Sequence, residues 1–458
     1  MQIRKHKIFR QLADSQILQL AVPSIVSNIT VPLLGLVDVA ITGHMGNAQY
    51  LAAIAVGSMI MNIIYWLFAF LRFGTGGMTA QTYGQQRELA HSTGTGDMSE
   101  CGCMALRSQT ICFLMAAAVV ILQWPIFLVA MALIAPEAEL VPIVHTYYNI
   151  CIWGAFPSLA LYAFTGWFVG MQNTKIPMVI SIAQNIINIC LSYCFVYVAG
   201  MKIEGVALGT LLAQWAGAVM AAAMMWRQYR DVFRGVSLRR ALHVDDLQRF
   251  FSVNRVIFIR TLFIVAVNLF VVKAGADGGS LMLAVNSLLM QLFILYTYVM
   301  DGFAFAAEAL CGKYYGAGNK KAFREAVAGI WRWGIALTVV YTLAYAFGGQ
   351  AFVGILTDDA TVRTAAPEYL PWAVAIPFCG IAAFIWDGVF VGITDTRGMM
   401  LGTMSGAIAF FIVYYCCRTL LGNHALWLAF NAYLFARGAV QHVIYTRKFS
   451  GCLPWKPA

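Results

Sequence analysis

The run Gly166-Trp167-Phe168-Val169-Gly170-Met171-Gln172-Asn173-Thr174-Lys175 returns, 222 residues further on, as Gly388-Val389-Phe390-Val391-Gly392-Ile393-Thr394-Asp395-Thr396-Arg397. Both read Gly-x-Phe-Val-Gly-x-x-[Asn/Asp]-Thr-[Lys/Arg]. Each belongs to an apolar stretch that opens Ala-x-Pro, at Ala155–Pro157 and Ala375–Pro377. A second match pairs Ala55-Val56-Gly57-Ser58 with Ala284-Val285-Asn286-Ser287, 229 residues apart. Both offsets are close to half of the 458 residues, which marks the chain as two copies of one unit. A duplication kept for packing alone is the alternative to one kept for function.

Composition sets the class. Of all residues 61% are hydrophobic and 11% charged, with a mean hydropathy of +0.74. A soluble domain is about a quarter charged, so a cytosolic enzyme, a disordered chain and a nucleic-acid binder are poor fits. A helix needs about 20 apolar residues to cross the hydrocarbon. Apolar runs of that kind lie near 16–40, 50–83, 107–134, 143–171, 178–200, 205–226, 256–276, 281–310, 326–350, 367–393, 399–421 and 425–444. The expected fold is an all-α integral membrane protein of about twelve transmembrane helices. With an even number of spans in each half, the two six-helix lobes are related by a pseudo-two-fold axis along the membrane normal. The expected divisions are an amino-terminal lobe 1–226, a basic connector 227–255, and a carboxy-terminal lobe with tail 256–458.

The net charge of +10 is unevenly placed. Arg4, Lys5, Lys7 and Arg10 precede the first span, and Arg447, Lys448 and Lys456 follow the last. Between the halves stand Arg227, Arg230, Arg234, Arg239, Arg240, Arg249 and Arg255, with Lys313, Lys320, Lys321 and Arg324 after the eighth span. The opposite loops hold little more than Lys202 and Arg363. The positive-inside rule therefore puts both termini and the connector in the cytoplasm. The excess charge is an orientation signal and a contact with membrane lipids, not a nucleic-acid footprint. The eleven cysteines are scattered, mostly within apolar runs, and the pair Cys101 and Cys103 reads as two thiols in a reducing compartment.

Ionisable groups inside spans are costly and call for a reason. Asp38 lies well along the first span with no basic residue within a helical turn. Desolvation without a cation favours its neutral form, which suits a carboxyl that loads and releases protons; capping of the helix end near Gly43 is the other reading. Pro23, Pro32 and Gly35 let that span bend. Asn185 and Asn188, with Gln184, put amides on the fifth span, where they bind cargo or glue helices. In the second half Arg260, Asp301, Glu308 and Asp387 form a polar set, with ion pairing between spans the expected fate of most and a direct proton relay the other reading; Arg72 lies at the inner end of the second span. Met61, Trp66, Met78, Phe156, Tyr162 and Trp167 either line a pocket for flat lipophilic cargo or simply pack. There is no P-loop, no His-Glu-x-x-His and no metal-ligand spacing, so no cofactor, metal or enzymatic activity is expected.

The residues together resemble a known family. Pro23-Ser24-Ile25-Val26-Ser27-Asn28-Ile29-Thr30-Val31-Pro32-Leu33-Leu34-Gly35-Leu36-Val37-Asp38 with Thr42-Gly43-His44 is similar to the opening of multidrug and toxic compound extrusion (MATE) transporters, in the branch of DNA-damage-inducible protein F. So are Phe70-Leu71-Arg72, Thr79-Ala80-Gln81, Asp301-Gly302-Phe303-Ala304, Ala307-Glu308-Ala309-Leu310 and Trp386-Asp387-Gly388. The resemblance implies export of lipophilic, often cationic, compounds in exchange for H⁺ or Na⁺ from a bacterial inner membrane. It implies that Asp38 couples proton and cargo, and that Asn185, Asn188 and Thr210 share its cavity. Two departures stand out. Ser192 replaces a second fifth-span acid of many members, and Arg260 with Gly380 stand where the sodium-coupled branch has acids. A hard cation wants clustered oxygens, so H⁺ is the expected coupling ion, with the chain acting as a monomer. A flippase for a lipid-linked precursor is the alternative within transport, and a membrane-embedded enzyme or receptor a remote one.

Overall fold

The structure is a computed structural model that describes residues 14–30, 41–43, 48–94 and 97–449. It is helical nearly throughout, with no strand among the described residues. Hydrocarbon offers backbone amides and carbonyls no water, so a spanning segment must bond them within itself. The helices in chain order are α1 (14–30), α2 (Ala48–Phe68), α3 (Phe70–Thr93), α4 (Ser99–Ile121), α5 (Gln123–Ile134), α6 (Val141–Cys151), α7 (Ala155–Gly170), α8 (Lys175–Tyr193) and α9 (Ile203–Tyr229). They continue with α10 (Leu238–Ala241), α11 (Val244–Asp277), α12 (Ser280–Gly316), α13 (Lys320–Leu356), α14 (Ala360–Gly392), α15 (Thr396–Leu421) and α16 (Asn423–Phe449). Ten helical segments among the described residues are long and apolar enough to cross a membrane. The last helix matches them in length but carries Arg437 and Gln441 within it. The first expected span continues past Thr30 into residues outside those described.

The expected third span, 107–134, is not one helix. It divides at Leu122 into α4 and the short apolar α5. Pro125 lacks the amide proton that a continuous helix would bond back one turn. In the first half a 3-10 turn at Ile152–Gly154 leads into Pro157 near the start of α7, whereas its counterpart Pro377 lies inside the unbroken α14.

The contacts divide into two compact units: residues 26–251, and residues 14–25 with 252–449. The first dozen residues of α1 thus pack with the second-half helices, and the connector up to Phe251 packs with the first half. One division falls within the connector 227–255 and the other within the first expected span.

Within each unit the repeated motif builds the same piece of structure. A methyl group on Gly166 would collide with the Arg72 carbonyl, and one on Gly388 with the Ala304 carbonyl. On Gly170 it would lie 2.8 Å from the Gly76 carbonyl, and on Gly392 2.6 Å from that of Glu308. Only glycine allows helices to approach this closely. The turns that follow also match. Gln172 and Thr394 have φ of 64° and 53°. The amides of Asn173 and Asp395 each donate at 2.9 Å to the carbonyls of Phe168 and Phe390. Asn173 Oδ1 and Asp395 Oδ1 then receive the amides of Ile176 and Gly398, at 3.4 and 3.3 Å, and start the next helix.

Candidate functional site

In the unit formed by residues 26–251, α8 carries a polar face between the last described turn of α1 and α9. The Nδ2 of Asn185 donates to the Thr30 carbonyl at 3.0 Å. The Thr30 hydroxyl meets that of Ser181 at 3.1 Å. One turn on, Asn188 Nδ2 donates to Thr210 Oγ1 at 3.0 Å, and that hydroxyl donates to the Val206 carbonyl at 3.0 Å. The structure therefore brings three of the residues singled out from sequence, Asn185, Asn188 and Thr210, into one cluster, and adds Thr30 and Ser181. Asp38, the fourth, lies outside the described residues.

Asn188 Oδ1 and Ser192 Oγ are buried one turn apart on α8 with no hydrogen-bond partner among the described residues. Gly209 of α9 leaves room for Ser192; a methyl there would collide with its hydroxyl. Buried polar atoms are normally bonded, which makes this pair an exception on α8.

Of the aromatic and Met residues considered for a cargo pocket, Trp66 and Tyr162 line a cavity of about 560 Å³ with Ser58, Met59, Asn62 and Tyr65. Met61, Met78 and Trp167 are instead buried in packing, and Trp167 donates its indole N–H to the Cys101 carbonyl at 2.8 Å.

The other unit holds a buried ionic centre. The guanidiniums of Arg260 on α11 and Arg437 on α16 both bond Oδ2 of Asp387 on α14, while Gln441 Nε2 donates to Oδ1 at 2.7 Å. Arg260, Asp387 and Arg437 are 8%, 14% and 7% exposed, so a charge pair that water would screen is desolvated here. Asp301 of α12 acts electrostatically on Arg260. Glu308, 1% exposed, lies farther along α12 on the stretch that receives Gly392. Gly380 sits against Tyr296, Phe384 and Leu434. Arg437 and Gln441 were not anticipated from sequence, although their spacing of four residues on the last helix puts both on one face.

Comparison with known proteins identifies the fold and its lineage. A single family model, MatE, matches twice, over residues 23–194 and 256–416. The chain belongs to the MatE family. Its two matched segments coincide with the two halves of the repeat. DNA damage-inducible protein F of Escherichia coli (strain K12) is a MatE relative 30% identical over 441 residues, covering 96% of this chain and 93% of its own. A probable multidrug resistance protein NorM of Photorhabdus laumondii is 25% identical over 414 residues, covering 85% and 84%. A solved structure of a multidrug resistance MATE family transporter in an outward-facing conformation superimposes with a TM-score of 0.84 at 17% identity, covering 96% of each chain. As a MatE member the chain is an integral membrane transporter, not an enzyme, and its relatives include proteins named as probable multidrug resistance proteins.

Proposed function

We propose that the chain exports lipophilic cationic compounds by proton antiport with alternating access, as a monomer in a bacterial inner membrane with both termini in the cytoplasm. Asp38 is the coupling carboxyl. Ionised, it attracts a cationic cargo; protonated from outside, it loses that attraction and the cargo leaves. One protonation then biases two conformations of similar energy. The functional halves are 1–226 and 256–458, joined by the connector 227–255.

The observation that supports this most is the hydrogen bond from Asn185 to the Thr30 carbonyl. Thr30 precedes Asp38 by eight residues in sequence. One fifth-span amide, that of Asn185, is thus bonded to the segment that leads to the acid, and Asn188 and Ser192 continue along α8, with Asn188 bonded to Thr210. No second acid stands at Ser192, so a single carboxyl carries the proton. Arg260, bonded to Asp387, gives a sodium ion no clustered oxygens to occupy.

The test is proton release on cargo binding. The purified full chain in weakly buffered detergent micelles is titrated with a fluorescent lipophilic cation while pH is recorded. Stoichiometric release that is indifferent to Na⁺ supports antiport through a carboxyl. Binding with no proton release contradicts it. Binding of no cation at all transfers the assignment to flipping of a lipid-linked precursor.

A further inference from the structure

The segment joining α9 to α11 is firmly folded. Val232 is buried, and Gly102 of α4 lies so close that a methyl there would sit 2.6 Å from the Val232 carbonyl. Arg107, 3% exposed, donates through Nε to the Ala241 carbonyl at 2.8 Å and pairs with Asp246 at 2.6 Å. Arg240 pairs with Glu100, and Arg234 with Asp231, each at 2.8 Å. Four further arginines, Arg227, Arg230, Arg239 and Arg249, are exposed and form no ion pair among the described residues. Beside them Trp226, Leu238 and Val244 are 60%, 58% and 62% exposed. The Arg230 guanidinium lies 5.8 Å from the Trp226 ring centre. The acid left on this segment, Asp245, faces His243 at 3.8 Å.

Two membrane-crossing helices, α9 and α11, end here, so the segment stands where hydrocarbon gives way to headgroups. Exposed tryptophan and arginine side by side are what that layer favours. An anionic leaflet attracts each basic group near its surface, and the guanidinium fork matches two phosphate oxygens at once.

We propose that this connector is a binding site for anionic phospholipid headgroups, with Arg227, Arg230, Arg239 and Arg249 taking the phosphates while Trp226, Leu238 and Val244 enter the interface. The pairs on Arg107 and Arg240 hold the segment in place for that contact. The site is independent of the transport assignment.

The full chain in detergent is titrated with pyrene-labelled phosphatidylglycerol and, separately, phosphatidylcholine, with energy transfer from tryptophan as the readout. The variant Arg227→Gln/Arg230→Gln/Arg239→Gln/Arg249→Gln is compared with Arg234→Gln, which removes a paired arginine from the same segment; both are first checked for monodispersity. The native chain should prefer phosphatidylglycerol, less so as salt rises. The quadruple variant should lose roughly tenfold or more of that preference, Arg234→Gln should keep it, and soluble glycerol phosphate should not displace the lipid. An unchanged preference in the quadruple variant, an equal loss in Arg234→Gln, or displacement by glycerol phosphate would each overturn the site.

Discussion

The Nδ2 of Asn185 donates to the carbonyl of Thr30 across 3.0 Å, so α8 holds the last described turn of α1. A side-chain donor on a backbone carbonyl of a neighbouring helix ties the two helices together at that point. In the proposed mechanism Asp38 follows in sequence and carries the proton, so this bond serves transport more than stability. Asn185→Ala should therefore slow cation movement in proteoliposomes by about tenfold while costing only about 1 kcal/mol of stability, read as a small shift in thermal unfolding. Equal losses in both would assign the bond to folding alone.

Asn188 and Thr210 should behave as a coupled pair. Hydrogen bonds between membrane helices average about 0.6 kcal/mol in double-mutant cycles. The cycle Asn188→Ala, Thr210→Val and the double variant should return a coupling of that order in thermal stability. Strict additivity would deny that the 3.0 Å contact persists in solution.

Ser192 separates packing from chemistry. Its hydroxyl is buried without a partner among the described residues, so removing it relieves an unsatisfied group. Ser192→Ala should leave the unfolding temperature unchanged or raised, yet slow proton-driven transport by a few-fold. Unchanged transport would leave Ser192 with no part in transport.

The ionic centre of the second unit makes a stability prediction. Two guanidiniums share one carboxylate oxygen, so Asp387→Asn leaves two buried cations without their counter-charge. Breaking a buried pair from one side costs about 3–5 kcal/mol, and the folded yield should fall sharply. Gln441→Leu, which removes only a hydrogen bond to Oδ1, should cost about 1–2 kcal/mol. Size-exclusion recovery after stepwise heating ranks the two; the reverse order would mean that Asp387 is held by something other than these arginines.

Asp359 starts α14 outside the membrane. The Thr361 hydroxyl, with the amides of Thr361 and Val362, holds its carboxyl below the ordinary aspartate range. A depressed carboxyl contributes stability that is present above the ordinary value of about 4 and lost as pH falls through the folded-state value. Asp359→Ala should thus lower the unfolding temperature equally at pH 6 and pH 8 (two assay conditions in the range where it stays ionised). The difference should shrink below about pH 4. A change between pH 6 and pH 8 would require another titrating group.

The sequence carries the repeat openly because glycine contacts leave a pattern. Gly166, Gly170, Gly388 and Gly392 each lie where any side chain would strike a neighbouring helix's backbone, and such positions admit one residue type. Asn188 was legible as a polar residue in an apolar span, and Thr210 through the family resemblance alone. Thr30 was not, because its part is played by a carbonyl, and backbone acceptors have no sequence signature. Arg437 has a sequence signal, since an arginine inside an apolar helix four residues before a glutamine predicts a buried partner. The division of the third span at Leu122 was signalled by Pro125, but hydropathy alone reads straight across it.

The central claim is that one carboxyl, Asp38, couples the cargo to the proton. Its most direct test is transport of a fluorescent lipophilic cation into proteoliposomes under an imposed pH gradient, with and without Na⁺, for the native chain and Asp38→Asn. The account predicts gradient-driven movement that is indifferent to Na⁺ and absent in Asp38→Asn. Full gradient-driven movement in Asp38→Asn would contradict it and turn attention to Asp301, Glu308 and Asp387.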